Sequence, residues 1–199
     1  MTASTLAATL TLAMALAATA APARADSIAL PGNNTWSTFA VDSFLAPAAT
    51  PLAWLDDSGA RRVFTFRVDA GQTALLTVID GGFAGDTFRV SSNGSVLGNT
   101  SSVPPGSFES SLDIGVDFTA ALANASFSRG VFAFAAGNYT IGGSLLQSVT
   151  FAGSPLNATS GAIRLALIAA PVPEPETIGL MLAGLALTAA WMRRRGIGR

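Results

Sequence analysis

The chain has 199 residues, of which half are hydrophobic and only 12% are charged, so it is long enough for one ordinary domain and apolar for a soluble one. It contains no cysteine and no histidine, which excludes disulfide bonds, zinc sites of the Cys/His type and hydrolysis by a Ser-His-Asp or Cys-His arrangement. Residues 26–172 hold six arginines, no lysine and ten acidic residues, a net charge of −4, and a mildly acidic segment without basic runs is not expected to bind nucleic acid.

The first predicted element is an apolar stretch of Leu, Ala, Thr and Met over residues 6–18. It is too short to cross a bilayer as a helix. A small-x-small cleavage site follows, with Ala23 and Ala25 as its small residues. We therefore predict that residues 1–25 are a secretory signal peptide and that Asp26 becomes the new N-terminus, although no Lys or Arg precedes the apolar stretch. The alternative interpretation is a buried, Ala-rich helix.

Residues 26–170 show short alternating segments separated by turn signals, a pattern typical of β-strands. In the segment Arg62–Val68, for example, Phe64, Phe66 and Val68 share one face, which is the better candidate for the core. Asn93-Gly94 predicts a tight hairpin turn. Further strands are predicted at residues 74–79, 87–90, 95–98, 131–135, 139–141, 145–151 and 162–168. The sequence predicts an all-β domain, a β-sandwich or jelly roll of eight or nine strands, over residues 26–170.

One segment of this domain departs from the strand pattern. Phe118, Ala121 and Leu122 follow Asp117 at helical spacing. Asp is a favoured N-cap residue. We expect one or two helical turns over residues 117–123.

The segment from residue 62 to residue 88 contains a strand, an Ala-Gly turn, Leu-Thr-Val, Asp-Gly-Gly and Gly-Asp-Thr-Phe, in that order. This order is similar to small secreted β-sandwich domains such as pre-peptidase C-terminal and CUB-like modules. The resemblance implies binding of polysaccharide, protein or Ca²⁺, or an accessory role.

A candidate calcium site lies in the stretch Asp80-Gly81-Gly82-Phe83-Ala84-Gly85-Asp86. Asp80 and Asp86 flank a Gly-rich loop whose backbone carbonyls can turn inward, and Ca²⁺ takes six to eight oxygen ligands. Asp113 and Asp117 would have to join the two carboxylates. The simpler interpretation is that Asp80 and Asp86 both form turns and accept hydrogen bonds from nearby N–H groups. No other cofactor is expected.

Three further features of the sequence bear on function: a charged cluster, the carboxyl groups of the domain and its aromatic residues. Asp56-Asp57 followed by Arg61-Arg62 indicates a solvated loop with surface ion pairs. Glycoside hydrolysis needs two opposed carboxyl groups, and Glu109 is the only Glu of the domain. A hydrolase is therefore the third hypothesis, after a structural or binding protein and a carbohydrate-binding module. The aromatic residues that would stack on sugar rings if exposed are Trp36, Trp54 and Tyr139, but Trp and Tyr more often fill a core or its edge.

The C-terminal segment has three parts in order: a stem over residues 171–176 that contains Pro173, Glu174 and Pro175, an uncharged stretch over residues 177–192, and an Arg cluster that begins with Arg193, Arg194 and Arg195. We predict a transmembrane helix over residues 177–192. The position of the Arg cluster predicts a cytoplasmic C-terminus and an external domain.

This trio resembles the PEP-CTERM sorting signal. The resemblance implies recognition by an exosortase, cleavage near Pro173, Glu174 and Pro175, and a Gram-negative host that makes extracellular polysaccharide. The alternative is a C-terminal anchor that is never cut.

These observations predict an exported protein with no catalytic residues of its own. It would use the export machinery and the exosortase, pass through an inner-membrane intermediate, and reach the cell surface or the extracellular matrix as a structural or binding protein of exopolysaccharide or biofilm. The alternative function is a carbohydrate-binding module with calcium support, with extracellular polysaccharide as its partner.

Overall fold

The computed structural model describes residues 25–46, 51–169 and 175–196. This described part of the chain contains eleven strands and two helices. In chain order they are β1 (Asp26–Ala29), β2 (Ser37–Asp42), β3 (Arg62–Val68), β4 (Gln72–Asp80), β5 (Thr87–Ser92), β6 (Ser95–Asn99), α1 (Phe118–Ala123), β7 (Arg129–Phe134), β8 (Gly137–Gln147), β9 (Thr150–Phe151), β10 (Ser154–Pro155), β11 (Ala158–Ala169) and α2 (Pro175–Gly196).

The strands form two large sheets and one small hairpin. The five-stranded sheet has the order β1-β3-β8-β5-β6, the four-stranded sheet has the order β2-β11-β4-β7, and β9 pairs with β10. Strand β1 runs parallel to β3. The other pairs of this sheet, β3 with β8, β8 with β5 and β5 with β6, are antiparallel. Consecutive strands often lie in different sheets, so loops such as the one between β4 and β5 cross from one sheet to the other.

Side chains from both sheets build one core. Phe64 and Phe88 come from the five-stranded sheet, and Val78 and Ile163 come from the four-stranded sheet. Trp54, in the connection between β2 and β3, is fully buried and stacks on Phe39 with 4.0 Å between the ring centroids. Burial of these large rings contributes the main stabilisation of the fold. The predicted β-sandwich is confirmed, including the core face of β3, but the described residues form eleven strands where eight or nine were predicted.

Strand β8 differs from the prediction. The sequence suggested two strands, at residues 139–141 and 145–151, but β8 runs without a break from Gly137 to Gln147. Gly142 and Gly143 lie in register with Ser91 and Val90 of β5. A Cβ atom at Gly143 would lie 2.3 Å from the Trp54 ring. Gly143 is therefore a position of close packing inside the strand, and neither glycine ends it.

Helix α1 confirms the predicted helical turn. The Asp117 carboxylate accepts a hydrogen bond from the Ala120 backbone N–H at 3.0 Å, which satisfies one of the unpaired donors at the helix start. Phe118 and Ala121 are buried in a second apolar cluster. One edge of this helix therefore covers the end of β4.

The C-terminal helix corrects the predicted transmembrane segment. Helix α2 covers Pro175–Gly196, so it begins two residues before the predicted helix and includes Arg193, Arg194 and Arg195, which were placed after it. Within the described residues, no helix is long and apolar enough to cross a membrane. The uncharged stretch is only sixteen residues, about 24 Å at ~1.5 Å per residue, whereas the hydrocarbon core is about 30 Å thick.

The remaining processing residues fall at the borders of the described part. Ala25 is described and directly precedes β1, while the rest of the predicted signal peptide, including Ala23, lies outside the described residues. Pro175 is the first residue of α2, a position at which proline is favoured because its missing N–H has no helical partner there. Pro173 and Glu174 also lie outside the described residues.

Candidate functional site

The two aspartates predicted to bind calcium lie at either end of the loop that crosses between the sheets. Asp80 is the last residue of β4, and Asp86 directly precedes β5. At Gly85, φ is +134° and a Cβ atom would lie 2.5 Å from the Gly106 backbone nitrogen. Only glycine fits this position, which lets the loop turn inward under its neighbour.

Asp80 is fully buried. Its Oδ2 atom accepts hydrogen bonds from the backbone N–H groups of Gly85 at 3.4 Å and Asp86 at 3.2 Å. Its Oδ1 atom is buried and, in the described part of the structure, has no hydrogen-bond partner. Burial, with repulsion from Asp86 added to it, raises the pKa of Asp80 to about 9. The carboxyl group is therefore protonated at neutral pH.

Asp86 is 1% exposed. Its Oδ1 atom accepts a hydrogen bond from the Val149 backbone N–H at 2.7 Å, which ties the loop to the connection between β8 and β9. Burial raises the pKa of Asp86 to about 6, and hydrogen bonds from the Thr159 side chain and Val149 N–H oppose that rise. At neutral pH the pair holds one proton and one negative charge.

The other two aspartates predicted for the calcium site do not converge on this pair. The Asp113 carboxylate accepts a hydrogen bond from the Gly115 N–H at 2.8 Å, and Asp117 caps α1. Among the described residues no group of three or more acidic side chains is arranged to hold a metal ion. Asp80 thus accepts the local hydrogen bonds of the simpler interpretation, whereas Asp86 accepts its bond from Val149, which is distant in the sequence. Calcium at Asp80 and Asp86 stays a prediction.

The aromatic residues weighed for sugar stacking pack within the fold. Trp54 is buried in the main core. Trp36 lies under the Arg164 guanidinium, which is 4.4 Å from the ring centroid. Tyr139 packs against Phe134 at 4.6 Å between centroids. The core interpretation therefore holds for Trp54, and Tyr139 lies at the edge of the core.

A cleft on the five-stranded sheet was not predicted. It has a volume of about 550 Å³, and Arg61 and Arg89 both line it. The sequence had assigned Arg61 and Arg62 to a loop with surface ion pairs. In the structure Arg62 pairs with Asp26 at 3.2 Å, and the Asp56 carboxylate accepts hydrogen bonds from Ser58 and Ala60. No sequence motif joins Arg61 to Arg89, because only the folding of the sheet brings them to one cleft.

Comparison with protein families identifies a motif at the C-terminal end of the chain. The model of the PEP-CTERM protein-sorting motif matches residues 171–195. The chain therefore carries this sorting motif, in agreement with the pattern of its C-terminal segment. The motif indicates an exported protein that is a substrate of an exosortase.

Comparison with individual proteins adds little to this. No curated protein matches the chain. Among solved structures, the chain is similar to the crystal structure of the pre-peptidase C-terminal domain of a collagenase from Bacillus anthracis, with 10% identity, a TM-score of 0.38, and coverage of 71% of this chain and 96% of that one. The pre-peptidase C-terminal domain is one of the domain types that the sequence pattern resembles.

Proposed function

We propose that this protein is a structural or binding component of the cell surface or extracellular matrix of a Gram-negative bacterium, delivered there by exosortase processing. The observation that carries the proposal is the sorting motif over residues 171–195. In this proposal the exosortase recognises the tail at the inner membrane and cuts it near Pro173, Glu174 and Pro175. The β-sandwich then continues to the surface or to an exopolysaccharide matrix.

The arrangement of the chain supports this order of events. The last strand, β11, ends at Ala169, directly before the motif. Large side chains of α2 such as Leu180 and Leu187 are 75% and 72% exposed. Cleavage at the start of the motif would therefore remove no strand and none of these side chains from the core.

In the proposal the sandwich acts by binding or by assembly and has no catalytic residues. The chain lacks histidine and cysteine, the residues that most often serve as general base and nucleophile. The carboxyl groups of Asp80 and Asp86 are buried, and the cavity that Asp86 lines has a volume of about 240 Å³, below the range of ligand pockets of about 300–1,000 Å³.

The proposal is tested by the intact mass of the mature protein from its native host and from the same host without its exosortase. We expect a mass that runs from Asp26 to near Val172 in the parent strain, and a longer form that retains the tail in the mutant. The tail retained through Arg199 in both strains would show an uncut C-terminal segment and overturn the proposal.

A pair of matched variants tests the motif itself. Glu174→Ala changes the centre of the Pro-Glu-Pro motif, whereas Glu176→Ala removes the same charge two residues later. We expect the first variant to accumulate the uncut form and the second to be processed as in the parent. Equal processing of both variants would show that cleavage does not depend on the Pro-Glu-Pro motif.

A further inference from the structure

The cleft on the five-stranded sheet has one wall made by that sheet. Arg89 of β5 and Ser144 of β8 are register partners, and partners in a ladder project from the same face. Arg89 is exposed, while Phe88 and Val90 on either side of it are buried in the core. Arg89 thus stands on the outer face of the sandwich.

The opposite wall comes from the connection between β2 and β3. Ala53 forms a bridge with Ser144, and Leu55 forms a bridge with Arg61. The backbone N–H of Trp54 donates to the Gly143 carbonyl at 3.0 Å. This connection is therefore held against the sheet by backbone hydrogen bonds, and it places Arg61 at the same cleft as Arg89.

The charge of the cleft is opposite to the charge of the domain. Both arginines are exposed, and the ion pairs found among the described residues, Arg62 with Asp26 and Arg67 with Asp69, include neither of them. Among the described residues, those that line the cleft include no Asp or Glu. Asp56 and Asp57 lie on the same connection but not in the lining. Two cationic groups that have no ion-pair partner among the described residues thus line one cleft in a domain whose net charge is −4.

The remaining lining has the mixture that a sugar needs. Pro51, which is exposed, and Ala53, which is half-buried, give apolar surface, which suits the C–H face of a pyranose ring. The half-buried Ser91 adds a hydroxyl group. It donates to the Gly142 carbonyl at 3.1 Å, so its oxygen can accept a hydrogen bond from a ligand. The volume of about 550 Å³ lies in the range of ligand pockets, about 300–1,000 Å³.

We propose that this cleft binds an acidic polysaccharide, with Arg61 and Arg89 pairing with the carboxylates of uronate residues. Guanidinium groups match carboxylates because two parallel N–H donors face two oxygens. The open cleft on an outer sheet face admits an internal stretch of a polymer. This inference rests on the proposed matrix function and names the class of its ligand.

The charge distribution favours an acidic polysaccharide over nucleic acid. Two arginines neutralise few phosphates, whereas nucleic-acid affinity depends on many such contacts. The negative charge of the rest of the domain repels a densely charged duplex. A polyuronate carries at most one charge per sugar and presents apolar ring faces between its carboxylates.

The test measures binding of the mature protein, purified from its host, to polygalacturonate and alginate, with neutral dextran and duplex DNA as comparison polymers. We expect salt-sensitive binding to the polyuronates and none to dextran. Arg61→Gln and Arg89→Gln are each expected to weaken it about tenfold, as for loss of one charge-assisted hydrogen bond, and the double variant to abolish it. Arg67→Gln is the matched control, since Arg67 is also exposed on the same sheet but pairs with Asp69 at 2.9 Å outside the cleft.

Three outcomes would overturn the inference: no binding of the wild-type protein to any polyuronate, equal loss in Arg67→Gln and the cleft variants, or stronger binding to DNA than to the polyuronates. The same variants are followed in the host by intact mass. Normal export and tail cleavage with no polyuronate binding would contradict only the cleft, whereas a retained tail in the wild-type protein would contradict the proposed function whatever the protein binds. Circular dichroism and unfolding midpoints equal to wild type verify that the variants are folded.

Discussion

At the scale of single residues, the unusual feature is the pair Asp80 and Asp86. Both carboxyl groups are buried, and neither takes part in the ion pairs found among the described residues. Burial without an opposite charge penalises the charged form. Their pKa values of about 9 and about 6 lie above the unfolded value of 3.8 for that reason.

The raised pKa values predict that the contribution of Asp80 and Asp86 to stability is largest in acid. Each group contributes stability that is fully present below pH 3.8 and is lost as the pH rises through its folded pKa, because the folded state then holds a proton that the unfolded state has released. Between pH 6 and 8 the main contribution comes from Asp80, and the free energy of unfolding is expected to fall by about 1.4 kcal/mol per pH unit. Urea unfolding at several pH values measures this slope.

Asp80→Asn tests the assignment of that slope. The amide keeps an oxygen for the Gly85 and Asp86 N–H groups but does not titrate, so this variant is expected to lose most of the slope between pH 6 and 8 and to exceed wild type in stability at pH 8. Asp113→Asn, at an exposed aspartate that accepts a bond from Gly115, is the control and should keep the wild-type slope. An unchanged slope in Asp80→Asn would contradict the raised pKa of Asp80. Calcium, if it binds there, must displace the proton, so any stabilisation by calcium should grow with pH.

At the scale of elements, the hairpin between β5 and β6 shows how a turn is anchored to the sheet. Asn93 and Gly94 have φ values of +50° and +83°, as a tight primed turn requires. The Asn93 Oδ1 atom accepts from the Thr140 N–H at 2.8 Å, and its Nδ2 group donates to the Asn138 carbonyl at 3.3 Å. One side chain therefore joins the turn to β8.

Substitution of Asn93 separates these two roles. Asn93→Ala loses both hydrogen bonds and places an unsuitable residue at positive φ, and we expect a loss of about 2 kcal/mol in the free energy of unfolding. Asn93→Gly keeps the turn backbone and loses only the bonds, so a loss of about 1 kcal/mol is expected. Denaturant unfolding of both variants checks the order. Equal losses would mean that the backbone conformation adds nothing.

At the scale of the whole molecule, the sandwich and the sorting tail are separable in their energetics. The large apolar side chains described in α2, including Leu185 and Met192, are exposed, whereas the core lies between the two sheets. Stability of the domain thus depends on the part of the chain that remains after processing.

A chain that ends at Ala170 is therefore expected to unfold within about 0.5 kcal/mol of the chain that retains residues 171–199, since changes away from packed features have effects of this size. Both chains begin at Asp26, and the fluorescence of buried Trp54 reports unfolding in urea. A loss above about 1 kcal/mol on truncation would show that the tail packs on the sandwich.

Much of the fold was predictable from local patterns. Alternation located β3 and its core face, the Asn93-Gly94 pair located a hairpin, and Asp117 located the start of α1, because each of these signals is contained in a few neighbouring residues. The prediction divided β8 around Gly142 and Gly143, but Gly143 lies inside the strand because it admits the Trp54 ring against it. Contact with a residue distant in the sequence cannot be read from local composition.

The candidate sites divide in the same way. The sequence by itself determined the sorting motif, because that signal is a linear order of proline, apolar and arginine residues, and it determined the absence of thiol and imidazole chemistry. Tertiary structure alone decided that Asp80 and Asp86 are buried, because their loop crosses between the two sheets, and that Arg61 and Arg89 share a cleft. Burial and convergence depend on which strands become neighbours, and that depends on the packing of the whole core.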